Sequence, residues 1–387
     1  MYVDLNIPWP TRHLGYLLQG TGTSRKGKQK MASNPSPSGN TGAVDIWRGV
    51  SSEDRARMRE TAECAIRLGY SVIAFNLIIP QSLDPLLLGP HFPFSGDAPP
   101  FPDLDPRTAD NTSGSKTVLQ LSRLTMVLDE HVAGNGKGVF GFSKSQASYL
   151  SRYSLLSALP LDSASFSHAC LSLSAPSPTG IDLICFELGS SPKLPFNMPL
   201  STVSNALKHG VLFEAIYSPS TSGNSVLAHS PTGFPVPATS SSCRRNLVSV
   251  LKEIIRVTNC AKGLVVSSGA RSWAELRSAA TPSQADHHVL PISSRLNVLG
   301  LSHEHGRNAL MTNPKSLVSR AMSTRQTHKG VISNPVIVSR DTAATSSSVP
   351  SKRREPPAEE DAPHPSPPTG KNTLSGDDSE PKRMKKT

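Results

Sequence analysis

The stretch LGYSVIAFNLII, residues 68–79, decides the fold of this 387-residue chain. Most of it is a short apolar run without polar alternation, which is typical of a strand that is buried on both faces of a parallel sheet. Ser51 or Ser52 can cap a helix that leads into the stretch, and Gly69 can end that helix in the left-handed conformation. The stretch therefore predicts a helix, a tight turn and a buried strand in succession, which is the repeating unit of an α/β fold.

The same pattern recurs on both sides of this stretch. Six further apolar runs predict buried strands, at residues 3–7, 121–128, 155–161, 181–188, 211–217 and 263–267. Helical patterns fall between many of them, at residues 165–173, 201–209 and 244–257, and further helices are predicted after the last strand, at 273–279, 303–311 and 314–322. Alternation of this many strands and helices favours an α/β TIM-like barrel. A doubly wound open sheet is the alternative, and the lack of a glycine-rich nucleotide loop after the first strand counts against it.

The composition of the chain predicts one barrel domain over residues 1–338. Loop insertions, rich in Gly, Ser, Pro or Thr, interrupt it near residues 11–42, 83–115, 218–242 and 281–296. From residue 339 onward Ser, Pro, Glu and Lys replace the apolar residues. Residues 339–387 are therefore predicted to form a disordered tail with both basic and acidic residues.

No apolar run approaches the roughly 18 to 20 residues of a membrane span, and the first residues lack the basic-then-apolar order of a signal peptide. We therefore expect a soluble, intracellular protein that does not act at a membrane. The cysteines are scattered and form no C-x-x-C pair, which favours buried reduced thiols over disulfides or a zinc site. They are Cys64, Cys170, Cys185, Cys243 and Cys260.

The net charge of +11 is concentrated in one part of the chain. Residues 1–110 contain 11 Lys or Arg and 11 Asp or Glu, and residues 111–243 contain 7 and 6. Residues 244–330 contain 13 and 4, a net charge of +9, whereas residues 331–387 contain 9 and 8. This concentration predicts a surface that binds a polyanion, because each neutralised phosphate releases counterions. The alternative is a solvated face that pairs with acidic neighbours.

The helix predicted at residues 244–257 begins this basic region and supplies four candidate RNA contacts. Its basic side chains, opposite an apolar stripe of Val248, Leu251 and Ile255, are Arg244, Arg245, Lys252 and Arg256. Further candidates continue the positive character across later helix starts and ends: Lys262, Arg271, Arg307, Lys315 and Arg320. Because Trp273 is the only aromatic residue among residues 244–330, contact with phosphates or with RNA shape is favoured over base stacking. Structured RNA suits that mode of binding.

In a barrel, catalytic side chains lie at the carboxyl ends of the strands. The candidates at the predicted ends include few acids, and no histidine, cysteine or lysine can be placed beside a serine to act as its base. They are Asp4, Asn6, Asn76, Glu214, Tyr217, Ser267 and Ser268. Capping and loop hydrogen bonds explain this set, so we assign no catalytic residue.

The strongest candidate metal motif is His303-Glu304-His305, with His287 and His288 nearby. In a strand, residues two apart share a face and can bind one ion. Ser302 followed by HEHGRNALM predicts a capped helix instead, in which positions i and i+2 diverge. We therefore assign no metal ligand.

Seven stretches resemble the thirty-kilodalton protein subunit family of ribonuclease P and ribonuclease MRP. In the family's order, they are LGYSVIAFNLII (68–79), SRLTMVLDE (122–130), IDLICFELGSSPKLPF (181–196), GVLFEAIYSP (210–219), RRNLVSVLKEIIR (244–256), KGLVVSSGA (262–270) and LGLSHEHGRNALMTNPKSLVSRA (299–321). With Val3-Asp4-Leu5 they cover most of the chain that is predicted to be ordered, and the match is highly specific.

The resemblance implies a TIM-like barrel related to metal-dependent phosphoesterases, with Asp4-Leu5-Asn6 in place of their H-x-H metal pair. It implies a non-catalytic subunit of nuclear ribonuclease P, and of ribonuclease MRP, which processes ribosomal RNA. The RNA performs the hydrolysis with magnesium, and this subunit binds no cofactor. The implied partners are ribonuclease P RNA, MRP RNA, a small α+β subunit and the other ribonuclease P proteins, with precursor tRNA contacted indirectly. The resemblance also suggests an RNA or partner contact for Arg123, although an arginine beside a buried strand can equally form a structural ion pair.

Two other functions remain open at the level of sequence. An active metal-dependent phosphoesterase of the related barrel class requires stoichiometric zinc, manganese or iron. A general chaperone of tRNA or ribosomal RNA would bind RNA without copurifying ribonuclease P RNA.

Residues 281–296, TPSQADHHVLPISSRL, depart from the family pattern, which continues there through a short apolar helix. They predict a local insertion or a translated intron. In the tail, two short basic clusters about thirty residues apart predict nuclear import, and we expect a nuclear, nucleolar location. The clusters consist of Lys352, Arg353 and Arg354, and of Lys382, Arg383, Lys385 and Lys386.

Overall fold

In the computed structural model the described residues are 2–11, 46–47, 49–81, 83, 85, 94, 98–109, 116–129, 141–186, 188–189, 191–218, 243–259, 261–279, 297, 301–328 and 332–333. Contacts divide the chain into residues 1–335 and 336–387. The second unit, with the predicted tail and its basic clusters, lies outside the described residues, as do nearly all of the predicted insertions near 11–42, 218–242 and 281–296. Among the described residues, no helix has the length and apolarity that a membrane crossing requires.

Seven parallel strands form one sheet in the order in which they occur along the chain. They are β1 (Tyr2–Pro8), β2 (Tyr70–Pro80), β3 (Leu119–Leu128), β4 (Leu155–Pro160), β5 (Leu183–Cys185), β6 (Leu212–Ile216) and β7 (Leu264–Ser267). The chain after β7 returns to β1, where the Gly269 amide donates to the Asn6 carbonyl at 2.8 Å and the Ser268 amide donates to the Asp4 carboxylate at 3.0 Å. The nearly closed barrel confirms the predicted TIM-like fold.

Helices lie between most of the strands. They are α1 (Ser52–Arg67), α2 (Ala147–Leu150), α3 (Ser163–His168, continued by a π-helical turn at Ala169–Leu173), α4 (Leu200–Lys208), α5 (Cys243–Val257), α6 (His303–Leu310) and α7 (Thr312–Gln326). Short 3₁₀ turns lie at Pro102–Leu104, Lys144–Gln146 and Trp273–Glu275. A small antiparallel pair, β8 (Thr327–His328) and β9 (Ile332–Ser333), follows α7.

The helix ends follow the signals in the sequence. The Ser51 hydroxyl accepts a hydrogen bond from the Asp54 amide at 3.0 Å and so caps α1. Gly69 follows α1 and Gly210 follows α4, with φ values of +86° and +80°, a conformation that costs glycine nothing sterically. Ser302 caps α6 in the same way as Ser51, by accepting from the His305 amide at 3.2 Å. These boundaries confirm the prediction for α1, α4 and α6.

Side chains inside the barrel form layers. At the amino ends of the strands an apolar layer is covered by α7, which contributes Leu317 and Ala321 to it. At the other end a smaller apolar group includes Ile78, Val127 and Ile216. Because alternate residues of a strand share a face, the β3 side chains at 123 and 125 lie between the two layers, and both are polar. The centre of the barrel is therefore polar.

Helix α7 is held across the amino end of the barrel by arginines that bind one buried carboxylate. The Arg325 guanidinium donates to the Asp182 carboxylate and to the Ser154 carbonyl, the latter at 3.2 Å. Asp182 also accepts from the Leu156 amide at 2.9 Å. This bond supplements the ladder between β4 and β5. Strand β5, at Leu183–Cys185, is shorter than the strand predicted at 181–188.

Two other predictions differ from the structure. Residues 273–279 form one 3₁₀ turn and not a helix, because the Tyr217 hydroxyl accepts from the Arg277 amide at 3.1 Å and the Tyr70 hydroxyl donates to the Arg277 carbonyl at 3.0 Å. The segment predicted as a surface loop at 83–115 contributes to the core, since Phe94 and Phe101 are buried against Phe75. The four described cysteines are buried, as predicted, and Cys64, Cys170 and Cys185 are free thiols.

Candidate nucleic-acid interface and the polar centre

A buried ion pair lies at the centre of the barrel. Arg123 in β3 and Glu214 in β6 are both 0% exposed, and Nη1 and Nη2 of Arg123 donate to the two carboxylate oxygens of Glu214 at 2.7 and 2.6 Å. Two parallel bonds of this kind are the strong geometry for an arginine and a carboxylate. Arg123 also donates to the Leu5 carbonyl at 2.8 Å and to the Ser157 hydroxyl at 2.9 Å. One guanidinium thus links β1, β3, β4 and β6.

Neutral hydrogen bonds extend this pair across the barrel. The Asn76 amide donates to the Asn6 side-chain oxygen at 2.9 Å, and the Thr125 hydroxyl donates to the Asn76 oxygen at 2.6 Å. The side-chain amide nitrogen of Asn6 lies 3.5 Å from the Glu214 carboxylate, so the network leads back to the ion pair. Three of the candidates at the carboxyl ends of strands, Asn6, Asn76 and Glu214, are therefore brought together as one network.

The two charges hold each other in the ionised state. Burial alone would raise the pKa of the Glu214 carboxyl, but the charge and hydrogen bonds of Arg123 outweigh burial and keep that pKa below its usual value. Burial also disfavours the Arg123 cation, and the Glu214 charge overcomes it and raises the pKa of Arg123. Both groups are therefore charged at neutral pH.

Asp4 lies near this network, and no cationic side chain of the described residues pairs with it. One of its carboxylate oxygens accepts from the Ser268 amide at 3.0 Å and from the Asn6 amide at 3.2 Å. The other oxygen is buried and has no hydrogen-bond partner among the described residues. Burial raises the pKa of Asp4 to about 6, although the bonds from Ser268 and Asn6 work against that rise. Asp4 is therefore a buried carboxyl that gives up its proton only near neutral pH.

The ion pair restricts the chemistry available at the centre. Both Glu214 oxygens already accept from Arg123, and a divalent cation placed beside them would meet a positive guanidinium in a buried environment. Where side chains are described, no group of three or more His, Cys, Asp or Glu residues is arranged to hold a metal ion. This arrangement is suited to joining strands of the barrel.

The cationic side chains of residues 244–330 differ in exposure. Arg245, Lys252 and Arg256 are exposed on α5, while Arg244 belongs to α5 with its side chain outside the described residues. Arg256 pairs with Glu253 at 2.6 Å, so part of its charge is already neutralised. Three further candidates are exposed and lie on other segments: Lys262, Arg307 and Lys315.

The buried face of α5 is displaced slightly from the predicted stripe. Val248 and Ile255 are only half-buried, whereas Leu251 is buried as expected. The most deeply buried side chains of the helix are Val250 and Ile254. Burial of this adjacent stripe leaves Arg245 and Lys252 facing solvent, so α5 presents basic side chains on its outer surface.

Three predicted contacts occupy less accessible positions. Arg123 has no exposed surface and cannot reach an RNA phosphate, so its placement among the RNA contacts was wrong and the ion-pair alternative describes it. Arg320 is half-buried because Nη1 donates to the His209 carbonyl at 2.8 Å. Arg271 is also half-buried, and its amide donates to the Glu275 carboxylate at 2.9 Å.

Two residues of the amino end were not identified from the sequence. Arg325 binds Asp182 across 143 residues, and no local pattern predicts such a pairing. Lys208 is exposed at the carboxyl end of α4. A lysine at this position is commonly explained by the favourable interaction of its positive charge with the helix dipole.

The histidine motif at α6 has the helical geometry that the sequence predicts. The Nδ1 atom of His305 lies 3.0 Å from the Ser302 hydroxyl, and His303 is the first residue of the helix. The His305 side chain therefore contacts the residue that caps the helix, while His287 and His288 lie outside the described residues.

Comparisons with known proteins identify a family. Residues 1–326 match the family model described as RNase P subunit p30. A curated relative, the protein GAMETOPHYTE DEFECTIVE 1 of Arabidopsis thaliana, is 25% identical over 193 residues. That match covers 50% of this chain and 27% of the relative, so the chain spans about a quarter of the relative's length.

The chain also has limited similarity to solved structures. A chain in the cryo-EM structure of archaeal Ribonuclease P with mature tRNA is 10% identical, with a TM-score of 0.42, and the match covers 76% of this chain and 97% of that one. A variant of organophosphorus hydrolase from Deinococcus radiodurans is 11% identical with a TM-score of 0.36, over 82% of this chain and 92% of that one.

Proposed function

Because the chain belongs to the RNase P subunit p30 family, we propose that it is a protein subunit of ribonuclease P that binds the RNA and is not itself the catalyst. The family match over residues 1–326 carries this proposal. The partners are ribonuclease P RNA, a small α+β subunit and the other ribonuclease P proteins, with precursor tRNA contacted indirectly. The proposal extends to ribonuclease MRP and its RNA, and hence to processing of ribosomal RNA.

The charge distribution supports a role in RNA binding. Residues 244–330 have a net charge of +9, and Arg245, Lys252, Lys262, Arg307 and Lys315 present that charge to solvent. Lysine and arginine side chains on a helix surface contact phosphates and release counterions, which gives affinity without sequence specificity. This mode suits a subunit that supports a folded RNA.

Replacing Arg244, Arg245 and Lys252 with alanine should weaken RNA binding and its dependence on salt. Loss of three phosphate contacts is expected to reduce the slope of log affinity against log salt by about two to three units. The unfolding free energy should change by less than about 1 kcal/mol, because the described side chains among the three are exposed. Binding to ribonuclease P RNA over a salt series measures the slope, and urea unfolding measures stability.

A matched control removes the same number of positive charges at other exposed positions. Arg67, Arg152 and Lys144 are exposed and lie outside residues 244–330, so their replacement with alanine should leave the slope near that of the unchanged chain. If the α5 variant binds with unchanged affinity and unchanged salt dependence, α5 is a solvated face and the assignment of its residues is wrong.

The alternative function, a metal-dependent phosphoesterase, makes an opposite prediction about metal. We propose that this subunit binds no cofactor and that magnesium serves the RNA of the holoenzyme. The pairing of Glu214 with Arg123, and Asp4-Leu5-Asn6 at β1, support that proposal. The purified chain is expected to show no cleavage of RNA with any divalent metal, and elemental analysis to find no stoichiometric metal. Metal-dependent cleavage that is abolished by Asp4→Ala would establish the alternative.

The location proposed for the protein is the nucleus, and within it the nucleolus. The basic clusters of the tail, around 352–354 and 382–386, are short runs of the kind that import receptors bind. Deletion of residues 351–387 is expected to leave thermal stability unchanged and to reduce nuclear accumulation of the tagged chain. Unaltered nuclear fluorescence of the deletion variant would remove this role from the tail.

A further inference from the structure

Three exposed lysines lie on separate segments that contact one another near the amino ends of β6 and β7. We propose that Lys208, Lys262 and Lys315, called here the amino-end patch, bind the phosphate backbone of a double-stranded RNA segment at a site separate from the outer face of α5. The inference rests on the proposed RNA-binding function and adds a second contact to it. Lys208 was not among the residues that the sequence indicated.

The segments that carry the three lysines contact one another. Gly263 lies against the Leu207 side chain, so closely that a Cβ atom on Gly263 would be 2.1 Å from it. Lys262 and Lys208 are the residues next to this contact. The Asn313 side-chain amide donates to the Leu264 carbonyl at 2.8 Å and lies 3.4 Å from the Lys262 carbonyl, and Lys315 follows two residues later.

Helix α7 is fixed to this end of the barrel by a second link. Arg320 donates to the carbonyl of His209, the residue after Lys208, and its side chain packs against Gly210. Arg325 binds Asp182 from the same helix. The positions of Lys208, Lys262 and Lys315 are therefore held by the fold, which lowers the entropic cost of binding.

The turn that carries Lys262 adopts an uncommon backbone conformation. Asn259 and Ala261 have φ values of +53° and +67°, and the Ala261 methyl is buried. Alanine rarely adopts this left-handed region, and such strain persists where the surrounding structure requires it and is concentrated at functional sites. The turn ends α5 and presents Lys262 at the surface.

The charge of the patch is not balanced by neighbours in the sequence. The sequence around the three lysines, residues 205–212, 258–264 and 311–322, contains no Asp or Glu. The same three segments contain no Phe, Tyr or Trp, so they offer no surface on which unpaired bases can stack. Lysine ammonium groups without aromatic partners are suited to phosphates on a regular backbone, which favours a duplex over a single strand.

The patch and the α5 surface are distinct contacts. Arg245 lies near the start of α5, and about 18 Å of helix separates it from Val257, beyond which the strained turn and Lys262 follow. One RNA duplex that lies along α5 can therefore meet both surfaces. Their contributions to the salt slope should add.

The test uses the full-length chain with two probes, an RNA hairpin with a fully paired stem and a uridine-only strand of equal length. The variant carries Lys208→Ala, Lys262→Ala and Lys315→Ala. For the hairpin, the slope of log affinity against log salt is expected to fall by about two to three units, whereas binding of the uridine strand should change less. The matched control, with Lys116, Lys144 and Lys193 replaced by alanine, removes the same charge from exposed positions and should keep the original slope.

Each outcome has a separate meaning. An unchanged hairpin slope in the amino-end variant, together with a reduced slope in the α5 variant, would overturn this inference and leave the proposed function intact. A chain that binds neither probe would overturn both. Equal losses on the two probes would overturn the assignment to duplex RNA. Equal thermal unfolding midpoints for the variant and the unchanged chain verify that folding is retained.

Discussion

Replacing Arg123 with methionine is expected to lower the free energy of unfolding by about 3–5 kcal/mol, because it leaves the buried Glu214 carboxylate without its compensating charge. The methionine keeps much of the volume but restores none of the bonds to Leu5, Ser157 and Glu214. Urea unfolding at neutral pH measures the loss. A surface control, Arg59→Met, removes an exposed ion pair with Asp103 and should cost less than about 1 kcal/mol.

A second substitution separates the charge from the packing. Glu214→Gln in the Arg123→Met background removes the uncompensated carboxylate and should recover part of the lost stability. The interaction free energy from the double-mutant cycle is expected to reach about 1–3 kcal/mol. Additive effects of the two substitutions would show that the ion pair contributes nothing beyond its separate side chains.

The pH dependence of the Arg123 variant has a defined sign. In the unchanged chain the pKa of Glu214 is lowered, so its contribution to stability is present above the unfolded pKa and is lost as pH falls through the folded pKa. Without Arg123, burial raises the pKa of Glu214, and the cost of the buried charge decreases on acidification. The deficit of Arg123→Met relative to the unchanged chain should therefore be largest at neutral pH and become smaller as pH falls.

Asp4→Asn is expected to remove a loss of stability that the unchanged chain shows between about pH 4 and pH 6. The folded pKa of Asp4 is about 6, above the ordinary value of 3.8, so the protonated form stabilises the fold at low pH. That contribution is fully present below the unfolded pKa and is lost as pH rises through the folded pKa. A shift of this size corresponds to roughly 3 kcal/mol.

Unfolding free energies measured across this pH range compare the Asp4 variant with the unchanged chain. Asparagine keeps the oxygen that accepts from Ser268 and Asn6, so the bonds that close β7 onto β1 can remain. Glu60→Gln changes an exposed carboxyl and serves as the control. If the difference between the Asp4 variant and the unchanged chain does not vary with pH, Asp4 is ionised with an ordinary pKa.

Local patterns were sufficient for most elements of the fold. Ser51 and Gly69 delimit α1 because capping and left-handed glycine depend on residues within one turn. The failures have non-local causes. Tyr70 and Tyr217 bond the backbone around Arg277 and prevent the helix predicted at 273–279, although Tyr70 lies about 200 residues away in the chain.

The candidate site likewise has features that the sequence predicts and features that depend on packing. The excess of positive charge in residues 244–330 was apparent from the sequence, because charge composition does not depend on tertiary contacts. Which of its cations face solvent depended on packing, as Arg320 shows by turning toward His209. The position of Lys208 near Lys262 depends on the packing of Leu207 against Gly263, which the sequence does not indicate.

The sequence by itself determined that strands and helices alternate, where α1, α4 and α6 begin or end, and that positive charge is concentrated after residue 243. The tertiary structure alone decided the role of Arg123. The guanidinium of an arginine beside a buried strand either extends to the surface or pairs with a carboxylate in the core. The carboxylate that pairs with Arg123 belongs to Glu214, which is 91 residues away. Burial of a charge is stable only with a partner, and the closure of the barrel brings that partner within 2.6 Å.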